Sequence, residues 1–199
     1  FLLVDIKGFY PSTTKSKIKK QLIMTYQQSS NVAEFISNAV TIPQEKANNK
    51  RALVTGSVLS QYFAYVINKK MFDELYELSK LNDVIFTVYV DDISFSSKKV
   101  LTYKFHQQVY NIIKKYGYNI HNGKVYRGKI NNKSKITGIQ ITKYGFRLLT
   151  KHKNKIKELK NKIDIKSKRS LLGMLNYAIQ VNPKYRRYKK LFKNYKDFN

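Results

Sequence analysis

The stretch TVYVDDISF, residues 87–95, sets two adjacent carboxylates, Asp91 and Asp92, in the middle of an alternating apolar run. Val84, Phe86, Val88 and Val90 fall on one side by the period-2 geometry of a strand, and Tyr89 and Asp91 on the other. Such a run reads as a hairpin with its turn at the acidic pair. Like charges in an apolar setting repel each other and resist desolvation. The pair therefore requires either a solvated turn or a cation. The question is sharper because only 12 of the 199 residues are acidic, against 39 Lys and Arg, for a net charge of +27.

That surplus calls for a polyanionic partner, nucleic acid or an acidic membrane surface. With 42% hydrophobic and 14% aromatic residues the chain can bury a real core. The absence of cysteine excludes disulfides and thiolate metal sites, and three scattered histidines (His106, His121, His152) argue against zinc. No apolar run approaches the ~18–20 residues that a membrane span needs. The chain opens on FLLVDIKGFY without an initiator Met, which reads as a segment of a longer polypeptide.

FLLVDIK (1–7) predicts a buried strand ended by Gly8 and Pro11, followed by a helix capped from Ser12, Thr13 or Thr14. A second helix is expected over 31–40, then an exposed loop or hairpin through TIPQEKANNKRALV. Gly56 and Ser57 introduce one long helix with Leu59, Phe63, Val66, Ile67, Met71, Leu75 and Leu78 on a single face. After the acidic hairpin come a helix over 101–116 stopped at Gly117, and strands near 123–128 and 134–142. From about residue 150 the pattern is helical and strongly basic, with Glu158, Asp164 and Asp197 its only acids beyond residue 150. The fold class is α+β with a helical appendage.

Asp5 closes the first predicted strand, so if the two acidic strands are sheet neighbours, three carboxylates converge. Magnesium suits such a cluster, because it takes oxygen ligands and needs few carboxylates besides substrate phosphates. Two such ions ~3.5–4 Å apart stabilise both the attacking and leaving oxygens of phosphoryl transfer. A lone Asp-Asp pair is more often an ordinary turn.

The order of several motifs changes those odds. YVDD between apolar strands resembles the Tyr-x-Asp-Asp box of reverse transcriptases, and VDIKGFYPS (4–12) resembles their first carboxylate box. RALVTGSVLSQYFAYVINKKMFDEL (51–75) is similar to their nucleotide-and-template box, a glycine loop leading into a helix. YGYNIHNGKVYRG (116–128) resembles the stretch that carries a lysine near the leaving pyrophosphate, and KITGIQIT (135–142) the primer-grip hairpin. Ile136-Thr137-Gly138 is similar to the Val-Thr-Gly triplet of retron enzymes, and LLGMLNYAIQVNPKYRRYKKL (171–191) to their thumb pattern, in which Gly173 and Tyr177 would pack helices and Asn182-Pro183 would end one.

The resemblance implies an antiparallel polymerase palm over 1–147 and a helical basic thumb over 148–199, with the fingers region missing. It implies an RNA-directed DNA polymerase using two Mg²⁺ ions, an RNA template, a DNA primer and dNTPs. Asp5, Asp91, Asp92 and the Ile6 carbonyl would hold the metal, and Lys124 would assist proton transfer. Tyr10 would gate the sugar, Thr55 and Gly56 contact the nucleotide, and Ile136, Thr137 and Gly138 grip the primer. Tyr177, Arg186 and Arg187 would meet nucleic acid, including a structured noncoding RNA. A bacterial or phage cytoplasmic setting and a role in antiphage defence follow from the same likeness. Gly8 stands where the family usually has a second acid, and Val54, Thr55 and Gln61 depart from its Pro-Gln and Pro positions. Two other readings stay open: a catalytically silent nucleic-acid-binding module, and a relative that adds nucleotides without a template.

Overall fold

The structure is a computed structural model that describes residues 1–45, 48, 50–129, 135–142, 144–162 and 164–190. It forms two compact units, Phe1–Gly128 and Lys129–Asn199. The division lies upstream of the 147/148 boundary that the resemblance implies, and the hairpin around Thr137 falls in one unit with the basic helices.

In the first unit, β1 (Leu2–Asp5) leads through Gly8 into the short α1 (Phe9–Ser12), then α2 (Lys15–Met24) and α3 (Ser30–Ala39). Gly8 sits at φ 58°, ψ 46°, a left-handed conformation that a Cβ disfavours. Thr14 caps α2 through the Lys17 N–H, and Ser29 caps α3 through the Val32 N–H. The expected loop or hairpin over 41–54 is a two-residue ladder of β2 (Ile42–Pro43) and β3 (Arg51–Ala52).

The single long helix expected after Ser57 is instead two, α4 (Val58–Ile67) and α5 (Lys69–Leu81), broken at Asn68. The break has a clear cause. The buried Asn68 amide donates to the Ala64 carbonyl at 2.8 Å, and its Oδ1 accepts from the Tyr118 hydroxyl at 2.7 Å. That hydroxyl also bonds Thr13 Oγ1 at 2.9 Å. Thr13, Tyr118 and Asn68 thus join three distant chain segments in one satisfied polar network. Burial pushes the Tyr118 phenol up to about 12, keeping it a neutral donor.

The central sheet adds β4 (Ile85–Tyr89), β5 (Asp92–Ser96) and β6 (Tyr126–Arg127), with α6 (Tyr103–Lys115) between the last two. Its strand order is β4-β5-β1-β6, antiparallel throughout. One face carries Leu2, Val4, Ile93 and Phe95 into a core shared with Met71, Leu75, Phe105, Val109 and Ile113. Phe95 meets Phe105 edge-on at 5.4 Å, which seats α6 on this face. The opposite face is polar: Thr87 and Ser94 are cross-strand partners joined hydroxyl to hydroxyl at 2.5 Å, and Asp92 lies beyond them.

The second unit contains β7 (Lys135–Ile136), β8 (Ile139–Thr142) and β9 (Gly145–Leu148), then α7 (Thr150–Lys160), α8 (Ile165–Val181) and α9 (Arg186–Lys190). Residue 134, expected to begin a strand, lies outside the described residues. Leu148, Ile156, Leu159, Leu171, Leu175 and Ala178 form its core. Asp164 caps α8 by accepting from the Ser167 N–H, and Asn182-Pro183 ends it as expected. Among the described residues no helix is long and apolar enough to cross a membrane.

Truncating Asn68 to Ala should cost about 1–3 kcal/mol, the range for leaving a buried donor unsatisfied. Urea unfolding measures it, and Tyr118→Phe should cost a comparable amount, because it leaves the buried Asn68 Oδ1 without its donor.

Candidate active site

Strand pairing does the first assembly. Asp5 is the direct cross-strand partner of Asp92, and Asp92 in turn faces Tyr89. Like charges placed directly opposite on one sheet face destabilise it. Asp91 occupies the hairpin loop between Tyr89 and Asp92, and its carbonyl accepts from the Ile6 N–H at 3.2 Å. The strand therefore ends one residue early: Val90 is a loop residue, although its side chain still packs against the apolar core as the alternation expects.

Val90 adopts φ 59°. A positive φ at the first residue of a two-residue hairpin loop favours glycine, and a β-branched side chain there is strained. Strain of this kind costs of order 1–3 kcal/mol and persists only where its surroundings enforce it.

A cleft of about 490 Å³ opens at this end of the sheet, lined among others by Asp5, Ile6, Tyr10, Thr55, Asp91 and Lys124. Six residues from four sequence motifs thus share one cavity. Gly56 and Asp92 are not among its lining residues; Asp92 stands exposed on the adjoining sheet face. Gln44, Glu45, Val54 and His121 also line the cleft and were not anticipated. The sequence signal for His121 is a backbone one: its N–H donates to the Asp5 carbonyl at 2.9 Å, and Lys7 donates to Asn119 at 2.8 Å. These bonds hold the segment carrying Lys124 against β1.

Neighbouring contacts fix the remaining walls. The Thr13 carbonyl accepts from the Leu53 N–H, and the buried Ser60 hydroxyl accepts from the Val54 N–H at 3.3 Å. The loop bearing Thr55 and Gly56 is therefore tied both to α1 and to α4. Phe9, buried, packs at a tilt against Tyr118 at 5.4 Å between ring centres and against Tyr10 at 6.1 Å. Burial, followed by the Asp91 and Tyr89 charges, raises the Tyr10 phenol, so it remains protonated.

The electrostatics answer the question posed by the acidic pair. Lys124 Nζ lies 2.9 Å from Asp5 Oδ2, and that bond raises the ammonium above its ordinary range. Asp5 is 8% exposed, so its partner is a cation delivered into a nearly closed place. Burial raises the Asp91 carboxyl first, with the Asp5 charge adding to it; for Asp92, burial comes first and then the Asp91 and Asp5 charges. Among the described residues one ammonium thus serves three carboxylates, and these described groups carry an excess of negative charge.

Among the described residues, no three His, Asp or Glu side chains form a cage that would hold a metal unaided. The donor set still fits Mg²⁺, which keeps several waters and is commonly held by one or two carboxylates together with substrate phosphates. An anion-rich cleft whose carboxylates offer oxygen donors, with one lysine already on Asp5, has the chemistry for such an ion.

In the second unit, Thr137 (φ 43°) and Gly138 (φ 80°) form the two-residue turn between β7 and β8, flanked by the Ile136–Ile139 pair. Both central residues have positive φ, as the twist-matched hairpin turn demands, which suits Gly138 and strains Thr137. The Tyr177 hydroxyl donates to the Gly138 carbonyl at 3.4 Å. Two residues picked from separate motifs are therefore in contact. Arg187 lies over the Tyr188 ring at 4.9 Å, and Arg186 is exposed at the start of α9.

Removing one charge from the cluster should stabilise the protein. A carboxyl raised in the folded state binds more protons there than when unfolded, so stability falls as pH rises through the interval above the ordinary value of 3.8. Asp91→Asn should accordingly raise the melting temperature at pH 7, and the gain should shrink towards zero as pH falls below about 4. Thermal melts of both proteins across that range check it.

No family model matches the chain, and no curated protein matches it by sequence. Solved structures do. The chain is similar to the foamy viral protease–reverse transcriptase in complex with an RNA/DNA hybrid (TM-score 0.55, 21% identity, 89% of this chain and 21% of that one). The dRH form of the foamy viral enzyme with double-stranded DNA gives TM-score 0.55 at 20% identity, over 89% of this chain and 27% of that one. Telomerase from Candida albicans, in complex with a TWJ fragment of telomeric RNA, gives 0.55 at 12% identity, over 97% and 39%. The chain spans less than half the length of each. Its mixed helix and antiparallel-sheet architecture is a reverse-transcriptase-like, nucleic-acid-polymerase-like fold.

Proposed function

We propose that the chain is the catalytic portion of a retron-like RNA-directed DNA polymerase, which extends a DNA primer on an RNA template. The observation that carries this reading is the convergence of Asp5, Asp91, Tyr10, Thr55 and Lys124 on one cleft. Further support comes from the fold likeness and from a net charge of +27, which suits a nucleic-acid substrate.

In this reading Asp5 and Asp91, with the Ile6 carbonyl beside them, would hold Mg²⁺, and Asp92 would orient the pair from the neighbouring strand position. Two bound Mg²⁺ ions would lower the pKa of the primer hydroxyl and neutralise the triphosphate. Lys124 has a defined role in either state. It neutralises Asp5 in the absence of metal, and once freed it is placed to donate a proton or a positive charge to departing pyrophosphate. Tyr10, neutral and packed against Phe9, presents a flat wall to the sugar of an incoming nucleotide. Thr55 and Val54 line the cleft from the neighbouring loop, and Gly56, next in that loop, would meet the nucleotide only beyond the cleft lining, where the lack of a Cβ permits close approach. Catalysis of this kind consists of positioning and electrostatics.

The basic second unit would follow the template–primer backbone through Arg186, Arg187 and the lysines of α7, with Tyr177 bracing the Gly138 turn beneath it. The retron assignment rests on residues: Ile136-Thr137-Gly138, and the Gly173, Tyr177 and Asn182-Pro183 spacing. A structured noncoding RNA partner, a bacterial or phage cytoplasmic setting and a part in antiphage defence belong to the same proposal.

Extension of a labelled DNA primer on an RNA template by the full-length parent chain tests it. Extension should require Mg²⁺ and template, and should fall by at least about 10³-fold in Asp91→Asn, the scale of losing a principal electrostatic group. Tyr10→Ala should retain extension while admitting ribonucleotides. Extension independent of template would favour the nucleotide-adding alternative, and tight binding without any extension would favour the silent binding module.

A further inference from the structure

A second cavity of the first unit, about 300 Å³, lies between α6 and the edge strand β6. It shares no residue with the cleft of Asp5 and Asp91. Tyr103, His106, Tyr110 and Lys114 line it from α6, at spacings of three and four residues that put them on one stripe, and Arg127 lines it from β6. No acidic side chain lines it, and α6 contains none.

Its cations are organised and uncompensated. The Arg127 guanidinium donates to the Tyr110 hydroxyl at 2.5 Å and lies 5.3 Å from that ring's centre, which fixes its plane. Among the described residues neither Arg127 nor Lys114 pairs with a carboxylate, whereas Lys15, Lys19, Lys69, Lys99, Lys115, Lys124, Lys155 and Lys162 all do. His106 is 8% exposed, and its Nε2 has no hydrogen-bond partner. Burial and then the Arg127 charge hold that imidazole below its ordinary range, a sign of the positive field in the groove. Tyr103 stands at the rim, 66% exposed.

A pre-oriented guanidinium, a nearby ammonium and an exposed aromatic ring match the parts of a polynucleotide. A planar guanidinium takes a phosphate through two parallel hydrogen bonds. An aromatic face stacks on a base of any identity, worth roughly 1–3 kcal/mol per base. The volume admits about one phosphate with its sugar, and a base can lay its face on Tyr103 only when it is free of a duplex stack, so the occupant is single-stranded.

We propose that this groove is a second nucleic-acid contact, separate from the polymerase cleft. It holds one backbone phosphate of a single-stranded segment between Arg127 and Lys114, with the adjoining base on Tyr103. The contact gives the protein a purchase on a strand that is not being copied, and it stands whether or not the cleft polymerises.

Fluorescence anisotropy of a labelled single-stranded RNA on the full chain, across a salt series, tests the proposal. The pair Lys114→Gln with Arg127→Gln should weaken binding about 10-fold at 0.1 M salt and make the plot of log K against log salt shallower by about 0.7, the share of one single-strand phosphate. Lys70→Gln with Lys80→Gln removes the same charge from the exposed side of α5 and should leave both values nearly unchanged. Tyr103→Ala should weaken RNA about 5-fold or more without changing the salt slope, and inorganic polyphosphate should compete poorly. Equal losses in the two charge pairs would reduce the effect to net charge and overturn the proposal. So would polyphosphate competing as well as RNA, or Tyr103→Ala binding normally. Lys114→Gln alone, which leaves the Arg127–Tyr110 hydrogen bond in place, keeps the test valid if the double variant folds poorly. Because only binding is read, failure here is distinct from failure of the polymerase reading, which Asp91→Asn extension decides.

Discussion

Everything at the candidate active site depends on one pairing: Asp5 set directly across from Asp92, with Asp91 in the loop beside them. The sheet gains nothing from this arrangement, since opposed like charges on one face are unfavourable. Burial compounds the cost, raising both Asp91 and Asp92 towards their protonated forms. Among the described residues the fold answers with a single ammonium. Lys124 reaches Asp5 from a segment held down by the His121–Asp5 and Lys7–Asn119 backbone bonds. That local solution is incomplete by charge count, and the incompleteness is what makes the cleft a place for an added cation. In an ordinary structural cluster the countercharges would come from the protein itself, as Glu34 obtains them from Lys15 and Lys19.

The surrounding fold can be understood as support for this unfavourable patch. The buried Thr13–Tyr118–Asn68 network ties the end of α1 to the α4–α5 break, and the same Thr13 holds Leu53 just before the Thr55 loop. Phe9 packs against both Tyr118 and Tyr10. The Val90 backbone is strained in the hairpin loop and is kept so by five consecutive cross-strand pairs from Ile85–Ser96 to Tyr89–Asp92. Strain, buried like charges and a rigid polar network concentrated in one corner mark a region where local stability has been given up for a defined geometry. The opposite corner of the same unit, at α6 and β6, is unlike it in sign: acid-free, cationic and aromatic.

Much of this was legible in the residues, for identifiable reasons. The β4–β5 hairpin followed from strict alternation, α6 and its end from its apolar spacing and Gly117, and the α8 stop from Asn182-Pro183. The three carboxylates converged because two strong strand signals both ended in acids, and acids are scarce in this chain. What escaped was non-local. Asn68 looked like one more polar residue on a long amphipathic helix; only Tyr118, fifty residues away, turns it into a break. The α-helical pattern could not reveal that β7 to β9 pack with the basic helices, because short strands carry little periodicity and the shift in charge begins later than the shift in contacts. Asp92 and Gly56 belonged to the right motifs yet lie outside the lining of the cleft. His121 contributes through its backbone, which no side-chain pattern announces. Gly138 and Tyr177 were singled out for different motifs, and their mutual hydrogen bond was not visible in either.

The central claim is that the Asp5–Asp91 cluster lacks a cation which Lys124 supplies only in part. Mn²⁺ binding to the full chain, followed by electron paramagnetic resonance in the presence of template–primer and a non-reacting nucleotide, tests it most directly. Wild-type protein should bind the ion, Lys124→Met should bind it more tightly by releasing Asp5, and Asp5→Asn or Asp91→Asn should weaken binding by at least about 10-fold, one lost charge-assisted ligand. Equal Mn²⁺ binding in all four proteins would contradict the account and leave Asp91 and Asp92 as an ordinary acidic turn.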